Sequence, residues 1–137
     1  MKIRYKIIKD KKLLILKFEG AWSIDDYKIS LKKVIQNADY ESVHKVLSDF
    51  RNVSVEEALS QLKELAEIRE KTIQKKYQHV RVVNGPLSTV IALLYREELT
   101  KRGYLDEYCS TLEHAIKLLG LKENVSEIEE LLNNLDT

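Results

Sequence analysis

The chain reads as an α/β protein: a central mixed, mostly parallel five-stranded sheet with an N-terminal antiparallel hairpin, surrounding helices and one further helix at the C-terminus. Three observations predict it. Short apolar runs alternate with longer stretches of helical periodicity, the pattern of parallel strands joined by helical crossovers. The first two apolar runs are separated only by Asp10-Lys11-Lys12, which leaves room for a hairpin and none for a crossover. Ser-x-x-acid pairs recur at Ser23/Asp26, Ser54/Glu57, Ser110/Glu113 and Ser126/Glu129, each ahead of an apolar periodic run, and mark helix starts.

Taken in order, Ile3, Tyr5 and Ile7 alternate with Arg4 and Lys6, as in a half-exposed strand. Leu13–Phe18 is a more continuous apolar run suited to burial on both faces. Behind the Ser23 cap, Ile24, Tyr27, Leu31, Val34 and Ile35 form a helical stripe. His44–Leu47 is the third strand, and the Ser54 cap opens a second helix carrying Val55, Ala58, Leu59, Leu62, Leu65, Ala66 and Ile73. His79–Val83 is the fourth strand. Asn84-Gly85-Pro86 then turns the chain, with Pro86 at the first position of a third helix whose Leu87, Val90, Ile91, Leu93, Leu94 and Leu99 span a wide apolar arc. A weaker strand at Leu105–Cys109 precedes a fourth helix with Leu112, Ala115, Ile116 and Leu119, closed by Gly120. This divides the chain into an α/β domain at 1–121 and a linker with an amphipathic helix at 122–137, in which Ile128, Leu131, Leu132 and Leu135 form a stripe built to be buried. That helix is expected to dock on its own domain or, across a twofold axis, on a second copy in a homodimer.

Composition bounds the function. Hydrophobic residues are 44% and charged residues 33%, which excludes a disordered chain. With 23 basic and 22 acidic residues, no basic excess recruits nucleic acid or an anionic membrane. No apolar run approaches the length of a membrane span, and the N-terminus lacks the core of a signal peptide. The single cysteine, Cys109, excludes an internal disulfide and reads as a small buried hydrophobe in a reducing, cytoplasmic setting.

His44, His79 and His114 are far apart with no metal-ligand spacing, so no metal is expected. Neither a phosphate-binding glycine loop nor a local nucleophile–histidine pair appears, so no cofactor and no enzymatic activity are expected. The site reading falls on the strand-to-helix turns. Asp49, Arg51 and Asn52 follow the third strand, and Asn84 and Ser88 border the helix start after the fourth. Carboxyl ends of parallel strands are where open α/β sheets place ligands, and free helix N–H groups there suit an anion or a partner's backbone. A purely structural alternative has Asp49 satisfying turn amides.

The order of these elements resembles the STAS superfamily, the domain of sulfate transporters and bacterial anti-sigma-factor antagonists. The likeness is to the SpoIIAA-like, or STAS/SEC14-type, branch of small stand-alone bacterial proteins. The residues that carry the resemblance are Phe18-Glu19-Gly20, Trp22-Ser23, Val46-Leu47-Ser48-Asp49-Phe50-Arg51-Asn52-Val53 and Val82-Val83-Asn84-Gly85-Pro86-Leu87, spread over about residues 3–120. In the phospho-regulated antagonists an Asp-Ser-Ser-Gly segment opens the helix after the third strand, and its second serine is phosphorylated. The corresponding segment here is Glu57-Ala58-Leu59-Ser60. The resemblance therefore implies a non-enzymatic binding or regulatory module without the phosphoserine switch. The alternative is a carrier of a small apolar or lipid-like ligand, for which a dry cavity of roughly a few hundred Å³ is expected.

Overall fold

Each strand of the sheet lies beside the next one in the chain. In the computed structural model, which describes residues 1–135, the strands are β1 (Lys2–Ile8), β2 (Leu13–Ala21), β3 (Lys45–Ser54), β4 (Gln78–Val82) and β5 (Asp106–Cys109), in the spatial order β1-β2-β3-β4-β5. β1 and β2 are antiparallel and the other pairs parallel, so the α/β class, the hairpin and the five-stranded sheet are as the sequence predicts. The helices are α1 (Ile24–Gln36), α2 (Leu62–Thr72), α3 (Pro86–Lys101), α4 (Leu112–Leu119) and α5 (Val125–Asn133).

A sheet that grows in one direction has a consequence for its layers. Right-handed crossovers that all advance the same way place their helices on one face. α1, α2 and α3 accordingly cover the face formed by Leu14, Leu16, Phe18, Val46 and Phe50. The opposite face, with Leu13, Ile15, Leu47, Val80, Val82 and Cys109, can be covered only by chain that follows β5. There α4 supplies Leu112, Ala115 and Leu119, and α5 supplies Ile128 and Leu132, both with no exposed surface. α4 packs on β4 and β5, while α5 reaches β2. The helix stripe beyond residue 121 is thus buried on its own domain.

The caps depart from the sequence reading at three of four positions. Ser23 accepts from the Asp26 N–H at 3.2 Å, as expected. α4 is capped by Thr111, whose Oγ1 accepts from His114 N, and not by Ser110. α5 is capped by Asn124 in a reciprocal box with Glu127, two residues before the Ser126/Glu129 pair. Asn is as good a cap as Ser, so the spacing rule found the right helix in the wrong register.

Ser54 does not cap a helix. It is the last residue of β3, paired with Ala21, and its carbonyl accepts from Trp22 N at 2.8 Å. The chain continues through a 3-10 turn at Glu56–Gln61 before α2 begins. With no cap to lose and its side chain exposed, Ser54→Ala is expected to change unfolding free energy by less than about 0.5 kcal/mol in urea titration.

β3 also runs past the turn expected at residues 49–52. β2 is long enough to pair with Asn52, Val53 and Ser54, and a register shift between Lys17 and Glu19 absorbs the extra residue. Two contacts hold this irregularity. Asp49 takes up the Arg51 N–H at 3.0 Å, and Phe50 stacks on Phe18 with ring centroids 4.2 Å apart.

Candidate functional site

Alternation along β3 divides the sequence-predicted residues between the two faces of the sheet. Asp49 is buried on the α4/α5 face, where its carboxylate accepts from Arg51 Nε at 2.9 Å and Nη2 at 3.0 Å. Arg51 in turn donates to Glu129 of α5 at 2.9 Å, and these two carboxylates hold its guanidinium charged far beyond any physiological pH. This cluster clamps α5 to the sheet. Asn52 and Asn84 are exposed. The Ser88 hydroxyl accepts from Gly85 N and donates to Gly85 O, closing the start of α3. All five residues lie at the carboxyl end of the parallel strands, but they do not converge: the sheet stands between Asp49–Arg51 and Ser88.

A different set of residues converges on the α1–α3 face. Val80 and Val82 of β4 point to the α4 side, so His79 and Arg81 point to the α1–α3 side, where Ser48 of β3 and Asp106 of β5 meet them across parallel neighbours. Ser48, Arg81 and Asp106 are buried. Arg81 donates to Asp106 and, at 3.3 Å, its Nη2 reaches His79 Nδ1. His79 Nε2 lies 2.7 Å from Ser48 Oγ. Arg81 also stacks on Tyr95 at 4.7 Å, and the Tyr77 ring meets His79 edge-on.

Two cavities sit above this floor. One, of about 60 Å³, is walled by Trp22, Val55, Leu62, Ile91 and Tyr95, with Ser88 at its edge. The other, of about 50 Å³, is walled by Leu14, Leu31, Val34, Tyr77, His79 and Ser48. Tyr27, Phe50 and Arg81 line both, so the two cavities adjoin across these side chains and together make up the chamber referred to below. The Tyr77 and Tyr95 side chains are buried in the walls of the second and the first cavity. Burial pushes both phenols above their ordinary range, so they are neutral donors.

The Ser48–His79–Asp106 grouping has the composition of a hydrolytic triad but not its proton arrangement. An arginine can only donate, so His79 Nδ1 accepts from Arg81 and its proton resides on Nε2. Nε2 then donates to Ser48, whereas a general base there would have to accept from it. The His79 Nδ1 to Asp106 separation of 3.8 Å is too long for a hydrogen bond, and the imidazole is neutral, so no ion pair forms. In this arrangement Ser48 is a hydroxyl whose own proton remains free to donate.

Burial holds His79 well below the usual imidazole range, and the nearby charges of Arg81 and Arg69 act in the same direction. An unfolded chain takes up this proton near pH 6.5 while the folded one resists it, so His79 removes stability as the pH falls below that value. Urea unfolding between pH 7 and 5, above the range where carboxylates titrate, is expected to show a decline approaching about 1.4 kcal/mol per pH unit. His79→Gln should flatten it.

Sequence reasoning missed this floor because His79 and Arg81 were absorbed into an apolar strand. The signal was present. His79-Val80-Arg81-Val82 alternates polar and apolar with period two, which puts both polar side chains on one face. Among the described residues no group of three or more His, Cys, Asp or Glu side chains could hold a metal ion. Cys109 is buried, and burial pushes its thiol upward, as expected of a packing residue. No helix among the described residues is long and apolar enough to cross a membrane. No protein-family model matches the chain, and no curated protein shows significant similarity to it.

Proposed function

We propose that this protein is a non-enzymatic binding module for a small, largely apolar molecule, held in the chamber between the sheet and α1–α3. The carrying observation is the chamber's construction: apolar and aromatic walls with a few polar groups converging on one floor, the usual make-up of a small-molecule site. The reading keeps the sheet end predicted from the sequence, since Val55, Ala58 and Ser88 at the starts of the two crossover segments line it. It relocates the polar contacts from Asp49, Arg51, Asn52 and Asn84 to Ser48, His79, Arg81, Tyr77 and Tyr95.

Size bounds the ligand. At about 60 and about 50 Å³ the cavities fall well short of the few hundred Å³ expected of a carrier of either kind, so only a compact ligand suits them. Kinship with the STAS superfamily is part of the same proposal, supported by the one-directional sheet and the opening hairpin. So is a cytoplasmic setting, supported by the buried, reduced Cys109.

The test is a thermal-shift screen of small aromatic and branched aliphatic compounds on the full chain and on Ala92→Phe, which fills the cavity of about 60 Å³. Ligands that bind the folded state raise Tm in proportion to saturation. Compounds that stabilise the wild type and not Ala92→Phe support the proposal. No active compound, or shifts that survive the filling substitution, overturns it.

A further inference from the structure

We infer that the segment Glu56–Gln61 is a gate on the cavity of about 60 Å³: it switches from the 3-10 form seen in the structure to a continuation of α2, and Leu59 then turns in as a plug. Its role as a gate rests on that cavity being a binding site; the switch itself does not. Three observations carry the inference. The first is a conflict between sequence and backbone. Val55, Ala58, Leu59, Leu62, Leu65 and Ala66 recur with the period of an α-helix, so a helix continued back from α2 puts all of them on one face. Val55, Ala58, Leu65 and Ala66 are buried, yet Leu59 is 46% exposed. The 3-10 winding and the non-helical backbone at Gln61 (φ −116°, ψ 8°) turn it away from the core. Six residues is also long for a 3-10 run, whose hydrogen bonds are poorer than those of an α-helix, and such runs mark hinges.

The second observation is that both ends of the segment are ready for the change. Nothing in the sequence starts α2 at Leu62: the segment holds no proline or glycine, and Gln61 supplies no cap. At the other end, Ser54 and Glu57 keep the spacing of a capping box that the 3-10 form leaves unused. A cap residue has extended backbone, so Ser54 can cap from the end of β3 while staying paired with Ala21. A helix rises 1.5 Å per residue against about 2.0 Å in the 3-10 form, so the segment shortens by about 3 Å. α2 packs on α3 and follows by sliding along it. The 3-10 form is latched by Trp22 Nε1, which donates to Gln61 Oε1 at 2.8 Å.

The third is the space beneath. The cavity is walled by Val55, Ala58, Leu62 and Leu65, the face that Leu59 joins in the helical form, and by Ile91 and Ala92 of α3. One water needs on the order of 10–15 Å³ of such a volume, so the cavity holds roughly four to six non-hydrogen atoms. A leucine side chain brings four carbons. Leu59 thus matches the void in size and in chemistry. Plug and ligand exclude each other: a ligand in the cavity holds the 3-10 form, and closure expels it.

The probe is xenon, a compact apolar atom that enters dry cavities, and the full chain is followed by NMR. Relaxation dispersion is read at the methyls of Leu59, Leu65, Ile91 and Ala92, together with the indole N–H of Trp22, the only tryptophan. The wild type is expected to show one μs–ms exchange process shared by these groups, with a minor state of about 0.1–10% whose shifts over residues 56–61 are helical. Gln61→Ala releases the latch and should enlarge that population severalfold. Xenon should shift the Leu65, Ile91 and Ala92 methyls and suppress the exchange. Ala92→Phe, which fills the cavity, should abolish it. Absence of exchange in both the wild type and Gln61→Ala overturns the gate and leaves the cavity standing as a site. Exchange that persists unchanged with xenon bound, or in Ala92→Phe, shows that Leu59 does not enter the cavity and overturns the gate as well. Xenon that leaves the wall methyls unshifted overturns the binding site, and the gate's role with it.

Discussion

Ending the chain at Leu121 should unfold the protein or leave it insoluble. By sequence pattern the α/β domain is complete near Gly120; by structure it is not, because α4 covers only the β4–β5 half of its face. α5 and the chain just after it bring Ile128, Leu132 and Leu135 into one buried cluster with Leu13, Ile15 and Leu47. Burial of one such side chain is worth about 1.5–3 kcal/mol. Three of them, together with the strand residues they cover, amount to a large share of the 5–15 kcal/mol that typically stabilises a domain. The Arg51–Glu129 and Lys11–Glu123 ion pairs go as well. The check is soluble yield and urea unfolding of the truncated and full chains. A truncated protein that stays soluble with an unchanged midpoint would mean that α5 is not part of the core.

Arg81→Met is expected to cost about 3–5 kcal/mol, the usual penalty for leaving a buried charge without its partner. Asp106 on β5 would then face only the neutral His79, whose Nδ1 is 3.8 Å away, since Arg69 is committed to the end of α2. The double variant Arg81→Met/Asp106→Leu removes both charges and should recover most of that loss, because replacing a buried pair by apolar groups of similar volume is often neutral. Denaturant unfolding of the two single variants and the double variant gives the coupling directly. Additive losses would show that the pair does not interact as its geometry implies.

The fold was legible because its signals are local. Apolar period, Pro86 after Gly85 and the left-handed Gly120 that ends α4 each act within a few residues. What was not legible depends on partners distant in sequence. The β2 residues that carry β3 through Asn52 to Ser54 sit more than thirty positions earlier, so the stretch after Asp49 read as a turn. The chamber floor is assembled from β3, β4 and β5, and no window of sequence brings Ser48, Arg81 and Asp106 together. Even so, a histidine and an arginine spaced by one valine in a buried strand carried the information that the face above β4 is not purely apolar.

The strand order bears on how the chain is made. Because β1 to β5 pair strictly in sequence, each new strand finds its partner already waiting, and contacts form over short loops. Synthesis from the N-terminus can therefore extend the sheet one crossover at a time, each roofed on the α1–α3 side as it forms. The other side stays bare throughout. Leu13 and Ile15 are among the first core residues to emerge, and Ile128 and Leu132 are among the last. The nascent chain thus carries an uncovered apolar sheet face until α4 and α5 have emerged, the kind of surface that chaperones bind and that drives aggregation of unfinished chains. A chain stalled just before α5 emerges should be a far better chaperone client than one stalled in the middle of α3, where there is less sheet to expose.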